Sequence, residues 1–496
     1  MQSTSTRNQK LFKTGAALLS IQGITWITTL VGVLVVPRFL GPSEFGLLTT
    51  GMTAATIIGV FAVFGSTNYL IKETARAPIE TYGLVFNVLY VRAGLWLGLN
   101  LVLLPFLILM APSAAFFVVF VASGLTSLTL LLTDGLMAGF QGNQRLGKVA
   151  LVASSVGLLG QAGTVFAAIS TREAVGVSLA GLAATSAGLV TVAITFVFAF
   201  SGRMRPSRAA IRGILVAGPS YFAWDLGLAI YARVDLLILP TLAGTAVAGA
   251  YAFAYRLVSI PVFATTIITM AIYPALSTAA MEDAAWFRRV VTNAARLAFS
   301  VTAPMAAGLA VLSVPIVQLL SGDEFGRSAV LVVILAIHIP PAAVHTVLGV
   351  SLFARDHQKR MAAVAWGAVV FNVALNLITI PLANRIWDDG ALGSAFTSVA
   401  TEVFVGSFVW WWAWPTIDTN RLATGLARIS VATLVMAGAA ALANVAIGLF
   451  GAIAIGAATY VVAALVFGVF SPNDLQRLRR VLLGSDGLPP ATSVEA

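Results

Sequence analysis

Apolar residues in this chain neither alternate nor recur once per helical turn; they run on for roughly 20 positions at a time, each run long enough to cross about 30 Å of hydrocarbon as a helix. Short clusters of charged, Gly and Pro residues separate the runs. Cutting at those clusters predicts spans at 14–37, 45–70, 82–110, 114–139, 146–170 and 175–200, and a second six at 210–240, 246–275, 290–320, 327–354, 360–382 and 390–414. A final pair falls at 423–448 and 450–470. A spanning β-barrel is excluded, because its strands would alternate apolar and polar residues. The first run follows Arg7, Lys10 and Lys13 but continues through Val36 without a small-residue cleavage site, so it reads as a membrane helix and not a secretory signal. The expected fold is an all-α polytopic membrane protein of about 14 transmembrane helices. It comprises an N-terminal six-helix lobe (1–205), a parallel C-terminal six-helix lobe (206–415), an extra helix pair (416–470) and a short cytoplasmic tail (471–496).

Composition supports the pattern. Charged residues make up 10% of the 496 positions and hydrophobic residues 59%, whereas soluble domains carry about 25% charged residues. The net charge of +10 invites a nucleic-acid reading, which the placement of the charges rejects. One alternate set of loops holds 22 basic residues, and the other holds only Arg38, Arg172, Arg327 and Arg385. Such an asymmetry places the basic set in the cytoplasm, with both termini, in a multi-pass inner-membrane protein. Arg203, Arg205, Arg208 and Arg212 also suit contact with anionic lipid headgroups, although orientation alone accounts for them.

Several chemistries are absent or weak. The chain has no cysteine, hence no disulfide, thiol nucleophile or thiolate metal ligand. Gly142 to Lys148 matches a nucleotide P-loop up to the lysine, but Val149 stands where the magnesium-binding hydroxyl belongs and no strand precedes it. Of the three histidines, His338, His345 and His357, the first two stand seven residues apart on the tenth span, but no convincing third ligand joins them. No cofactor, metal or nucleic-acid partner is expected.

Two internal echoes point to duplication. Pro37 to Gly41, with Gly46 five positions on, reappears as Pro240 to Gly244 with Gly249 five positions on, an offset of 203 residues. A looser echo joins Phe140, Gln144 and Arg145 to Phe353, Gln358 and Lys359. With six-plus-six topology, this favours a transporter whose parallel halves enclose a central site.

The same residues resemble a known family. Arg38 to Gly46 is similar to the first outward loop of the Wzx-like lipid-linked oligosaccharide flippases, the polysaccharide transporter family of the multidrug and oligosaccharidyl-lipid exporter superfamily. Ala138 to Arg145, Ala232 to Asp235 and Gly249 to Arg256 follow in the family's order, as do Asn372 and Asn376 before Pro381 and Gly390 to Ala395 before Glu402. The resemblance extends to about Phe470 and implies two lobes around a cavity. It also implies transfer of an undecaprenyl-diphosphate-linked glycan from the cytoplasmic to the periplasmic leaflet, for lipopolysaccharide or exopolysaccharide assembly. Membrane lipids, and polymerase or assembly proteins, are the partners that go with it.

Candidate chemistry lies in polar residues within the spans. Arg92, Arg233 and Arg256 are intramembrane charges, which cost at least about 2.5 kcal/mol at mid-membrane and so should face protein or water. Either they form a cationic cavity for the substrate diphosphate, whose oxygens a guanidinium fork matches, or they pair with Asp225, Asp235 or Glu402 to hold helices together. Arg256 is the leading candidate. Arg233 suits an outer gate equally well, and Arg38 sits at the outer mouth. The three acids read as ion-pair partners or as coupling sites, and Asp134 as a solvated acid near a span end.

Gln22, Thr25 and Thr29 draw a polar stripe, and Asn372 and Asn376 stand one turn apart; both sets suit cavity lining or helix packing. Gly94 with Gly98 and Gly135 with Gly139 are expected to admit close helix approach. Trp410, Trp411, Trp412 and Trp414 read as an interfacial belt. Two rival functions remain open: a multidrug or cation antiporter, which wants an acidic site, and a membrane glycosyltransferase or polymerase, for which the outward loops are short.

Overall fold

A computed structural model describes residues 4–110, 113–143, 145–202, 206–355 and 357–469. Among these residues the secondary structure is helical, with no strand, as the absence of water requires: each backbone N–H and C=O in lipid must be satisfied within its own segment. The helices are α1 (Thr4–Val63), α2 (Ser66–Arg76), α3 (Thr81–Met110), α4 (Ala114–Gly142), α5 (Leu146–Thr171), α6 (Ala174–Ala199), α7 (Arg208–Tyr231) and α8 (Asp235–Ala243). They continue as α9 (Thr245–Glu282), α10 (Ala284–Val311), α11 (Ser313–Ser321), α12 (Gly326–Ala336), α13 (Ile339–Phe353), α14 (Gln358–Trp387), α15 (Gly390–Ala413) and α16 (Thr419–Val466). Side-chain caps start several of them. Ser113 Oγ accepts from Phe116 N, Ser207 Oγ from Ala210 N, and the Asp283 carboxylate from Ala285 N and Trp286 N.

Eleven helices among the described residues are long and apolar enough to cross a membrane, or twelve when the bent pair Asp323–Ala336 and Ile339–Phe353 is one span. The difference from the expected 14 has a structural cause. Helices α1 and α16, of 60 and 48 residues, are each continuous except for one non-helical glycine, Gly41 and Gly448. At 1.5 Å per residue, 48 residues are about 72 Å, more than twice the hydrocarbon thickness. The arms of α16 fold back on each other: a Cβ added to Gly456 would stand 3.2 Å from Ala440 Cβ, across the Gly448 break. Positive φ at Gly41 (70°), Gly244 (90°) and Gly448 (75°) explains why glycine occupies these bends.

Two compact units divide the chain. The larger runs through Arg256 and takes in Val317–Leu331 and Lys359–Val405. The smaller holds Leu257–Ile316, Val332–Gln358 and the chain from Gly406. Within the larger, Phe140, Phe196 and Phe200 pack with Tyr82 and Val85 to join α3, α4 and α6. Within the smaller, the Tyr460 hydroxyl donates to Ser300 O at 2.6 Å, and Ile429, Ala432, Ala463 and Ala464 seal α16 against Ala303 of α10.

Of the two small-residue pairs, Gly135 and Gly139 admit close packing. A Cβ on either would press on Leu89 or Val85 at 2.7 Å. Gly94 and Gly98 meet nothing within 4 Å, so that expectation does not hold for them.

A candidate substrate cavity

At one end of the larger unit the two echoing segments cross. A Cβ on Gly46 would collide with the Thr245 carbonyl oxygen, and one on Gly249 with the Pro42 carbonyl oxygen; either would stand 2.9 Å from the other glycine's amide nitrogen. Each contact maps onto the other under the 203-residue offset, so the crossing is its own image under the repeat. Ser43 Oγ and Thr245 Oγ1 lie 3.3 Å apart across it. Arg38 donates to Leu319 O at 3.2 Å, and the Glu324 carboxylate abuts Gly41. Arg38 therefore sits at the rim of the crossing, exposed.

Next to the crossing lies Phe45, fully buried and edge-on to Phe325 at 6.1 Å. The Arg256 guanidinium of α9 stacks over the Phe45 ring at 4.5 Å, a cation–π contact that favours holding a charge there. Arg256 also lines a cavity of about 600 Å³ that runs along α1 from Leu48 to Val63. The opposite wall comes from α4, whose Ser123, Thr126, Ser127, Leu130 and Asp134 face it at helical spacing, and from Gln161, Thr164 and Ser178. Asp225 of α7, half-buried, lines the cavity too. It makes no hydrogen bond or ion pair to any described residue.

Arg92 occupies a different setting. It is fully buried on α3, and its fork is consumed by protein: Nε donates to Ser66 Oγ (2.9 Å), Nη1 to Leu131 O (2.5 Å) and Asp134 Oδ2 (2.9 Å), and Nη2 to Thr67 Oγ1 (2.7 Å). Its partner is Asp134, in place of the three acids the sequence suggested, and Asp134 is thereby an ion-paired residue at the cavity wall and not a simply solvated one. Arg92 ties α2, α3 and α4 together and is not among the cavity-lining residues.

The remaining candidates are placed as follows. Asp235, 4% exposed, accepts from the Tyr251 hydroxyl and from Leu236 N (2.9 Å), and Tyr251 also meets Ser398 Oγ at 2.8 Å. The Tyr231 hydroxyl donates to Glu402. Arg233 is exposed at the turn between α7 and α8. Asn372 and Asn376 are buried between α14 and α15: Asn372 Nδ2 donates to Thr401 Oγ1 (3.2 Å), Asn376 Nδ2 to Asn372 Oδ1 (2.9 Å), and Ser394 Oγ to Asn376 Oδ1 (3.0 Å). Both asparagines are helix-to-helix links outside the cavity lining. Gln22 and Thr25 fall within α1, and their side chains are not among those described.

The family model for polysaccharide biosynthesis proteins matches residues 11–280, more than half of the chain. The chain belongs to this family. Among solved structures, the chain matches the lipid II flippase MurJ in an inward closed conformation at a TM-score of 0.72 and 13% identity, over 91% of this chain and 98% of that one. An inward-facing multidrug resistance MATE family transporter of the MOP superfamily matches at 0.59 and 14% identity, over 82% and 98%. The MATE multidrug transporter DinF-BH matches at 0.53 and 15% identity, over 82% and 96%. At these identities the likeness establishes the fold. No curated protein sequence matches the chain significantly.

Sequence reading missed two parts of this family member's cavity. Phe45 carried no sequence signal beyond its place before Gly46, because its ring partner is more than 200 positions away. The α4 stripe was legible: Ser123, Thr126, Ser127 and Asp134 show the helical spacing that singled out Gln22, Thr25 and Thr29.

Proposed function

We propose that the protein flips an undecaprenyl-diphosphate-linked oligosaccharide from the cytoplasmic to the periplasmic leaflet of the inner membrane by alternating access, in surface polysaccharide biosynthesis. The observation that carries this reading is the guanidinium of Arg256, the one cation among the described lining residues, stacked on Phe45 beside the closed crossing. A diphosphate is the ligand such a fork matches. The family assignment, the MurJ-like fold and the basic-loop asymmetry support it, the last because its orientation, with the basic loops in the cytoplasm, turns the crossing toward the periplasm. With that end shut the cavity stands ready for cargo from the cytoplasm, and release requires Gly46 and Gly249 to part.

A second reading, antiport of organic cations, is favoured by the carboxylates of Asp134 and Asp225 at the wall. Arg92 already neutralises Asp134, which leaves Asp225 and Arg256 as a balanced pair among the described lining residues and weakens the case for a cation cargo. Asp235 and Glu402 hold hydrogen bonds to tyrosines, and we assign them to coupling or helix tethering outside the cargo cavity.

Proteoliposomes loaded with a fluorescent polyprenyl-diphosphate glycan test the proposal. Translocation by the wild type is expected, with loss in Arg256→Ala and partial recovery in Arg256→Lys. The hydroxyls of Ser43 and Thr245 are close enough for a Ser43→Cys, Thr245→Cys disulfide, and the chain has no other cysteine to interfere. Oxidation should stop translocation and reduction restore it. Undiminished transport by the fully cross-linked protein would rule out opening at this crossing, and drug-driven cation exchange without glycan transfer would favour the antiporter.

A further inference from the structure

The cavity wall opposite Arg256 has a chemical bias of its own. A hydroxyl has one proton to donate and two lone pairs that accept, and five of the six lining hydroxyls have already placed their proton. Thr56 donates to Met52 O (2.8 Å), Thr126 to Ala122 O (2.8 Å), Ser127 to Ala55 O (2.9 Å), Thr164 to Gln161 O (2.8 Å) and Ser178 to Val175 O (2.9 Å). What these side chains offer the cavity is lone pairs. The carboxylates of Asp134 and Asp225 add acceptors and no donors. The sixth hydroxyl, Ser123 Oγ, is buried and has no partner among the described residues. Among the described lining residues, the side chains that carry N–H groups at all are Arg256 and Gln161.

The cavity is thus segregated. The cation stands beside Phe45, while the acceptor Thr56 lies 11 residues further along α1, about 16 Å of helical rise away. Resting on the transport reading above, we infer that the wall formed by Thr56, Thr126, Ser127 and Asp225 selects glycans rich in hydroxyl or amino donors and rejects acidic ones such as uronic acids. A sugar hydroxyl gives its proton to the wall and leaves no buried group unsatisfied. A uronate carboxylate brings only lone pairs and a negative charge to a surface that already has both, so desolvation and like-charge repulsion oppose it. The diphosphate escapes this penalty because it is held at Arg256.

The test measures binding of four short-chain probes to the full-length protein in nanodiscs: farnesyl diphosphate, and its glucosyl, glucosaminyl and glucuronyl derivatives. The glucuronyl compound should bind about tenfold or more weaker than the glucosyl one, the cost of a like charge. Asp225→Asn should narrow that gap, and Thr126→Val with Ser127→Ala should weaken the glucosyl and glucosaminyl probes while leaving farnesyl diphosphate unchanged. Glucuronyl binding equal to glucosyl binding, or an Asp225→Asn ratio identical to wild type, overturns the inference while leaving the diphosphate site intact. Failure of all four probes, farnesyl diphosphate included, overturns the transport reading and this inference with it.

Discussion

Arg92 and Arg256 carry the same side chain into the same unit and end in opposite circumstances. Around Arg92, two hydroxyls, a carbonyl and a carboxylate from α2 and α4 close on the guanidinium and take four of its five N–H donors. Arg256 rests on the face of an aromatic ring and borders open cavity. The contrast teaches that an intramembrane arginine is no signature of a binding site by itself; where it stands relative to a cavity decides. A guanidinium bonded to the neighbouring helices away from the lining is a strut, and one that stacks on a ring and lines the cavity stands where cargo can meet it.

The largest effect that could break the contrast is on stability. Arg92→Leu deletes four hydrogen bonds and leaves the Leu131 carbonyl and the half-exposed Asp134 carboxylate without this partner, at a cost of about 2–3 kcal/mol; a large drop in thermal unfolding temperature in detergent is expected, and an unchanged midpoint would remove the strut assignment. Next is affinity: Arg256→Ala should lower the unfolding temperature less than Arg92→Leu does, yet bind farnesyl diphosphate about ten- to a hundredfold weaker, the worth of one charged hydrogen bond. Conservative replacement sharpens the comparison. Arg92→Lys keeps the charge but cannot reach four partners with three protons, and should lose about 1–2 kcal/mol, whereas Arg256→Lys should keep part of its diphosphate affinity at full stability. The smallest effect is expected for Thr67→Val, which deletes one acceptor of Arg92 for about 1 kcal/mol with no change in ligand binding.

The two arginines also mark where sequence reading stops. Their place inside long apolar helices was legible, because the length and ends of an apolar run are local properties of the chain. Their roles were not, since the partners of Arg92 lie 25, 26, 39 and 42 positions away on other helices, and the ring beneath Arg256 comes from α1. Glycine pairs show the same limit. Gly135 and Gly94 have identical four-residue companions, yet only the first faces another helix. Asn372 and Asn376 read equally as lining or packing and prove to be links between α14 and α15. By contrast the matched bends at Gly41 and Gly244 were visible as a repeat, because a backbone that must take positive φ imposes glycine on the sequence directly.

The crossing of Gly46 and Gly249 has a consequence for how the protein responds to its surroundings. It is made of peptide groups, which neither titrate, nor oxidise, nor feel ionic strength as exposed charges do. Acidification or salt therefore has little hold on the contact itself, and its strength is set by van der Waals fit between two stretches of bare main chain. An excess side chain at either position acts as a wedge, and the identity of that side chain matters less than its volume. Whatever parts the two strands of this seam must work from outside it, by tugging on the helices that carry it.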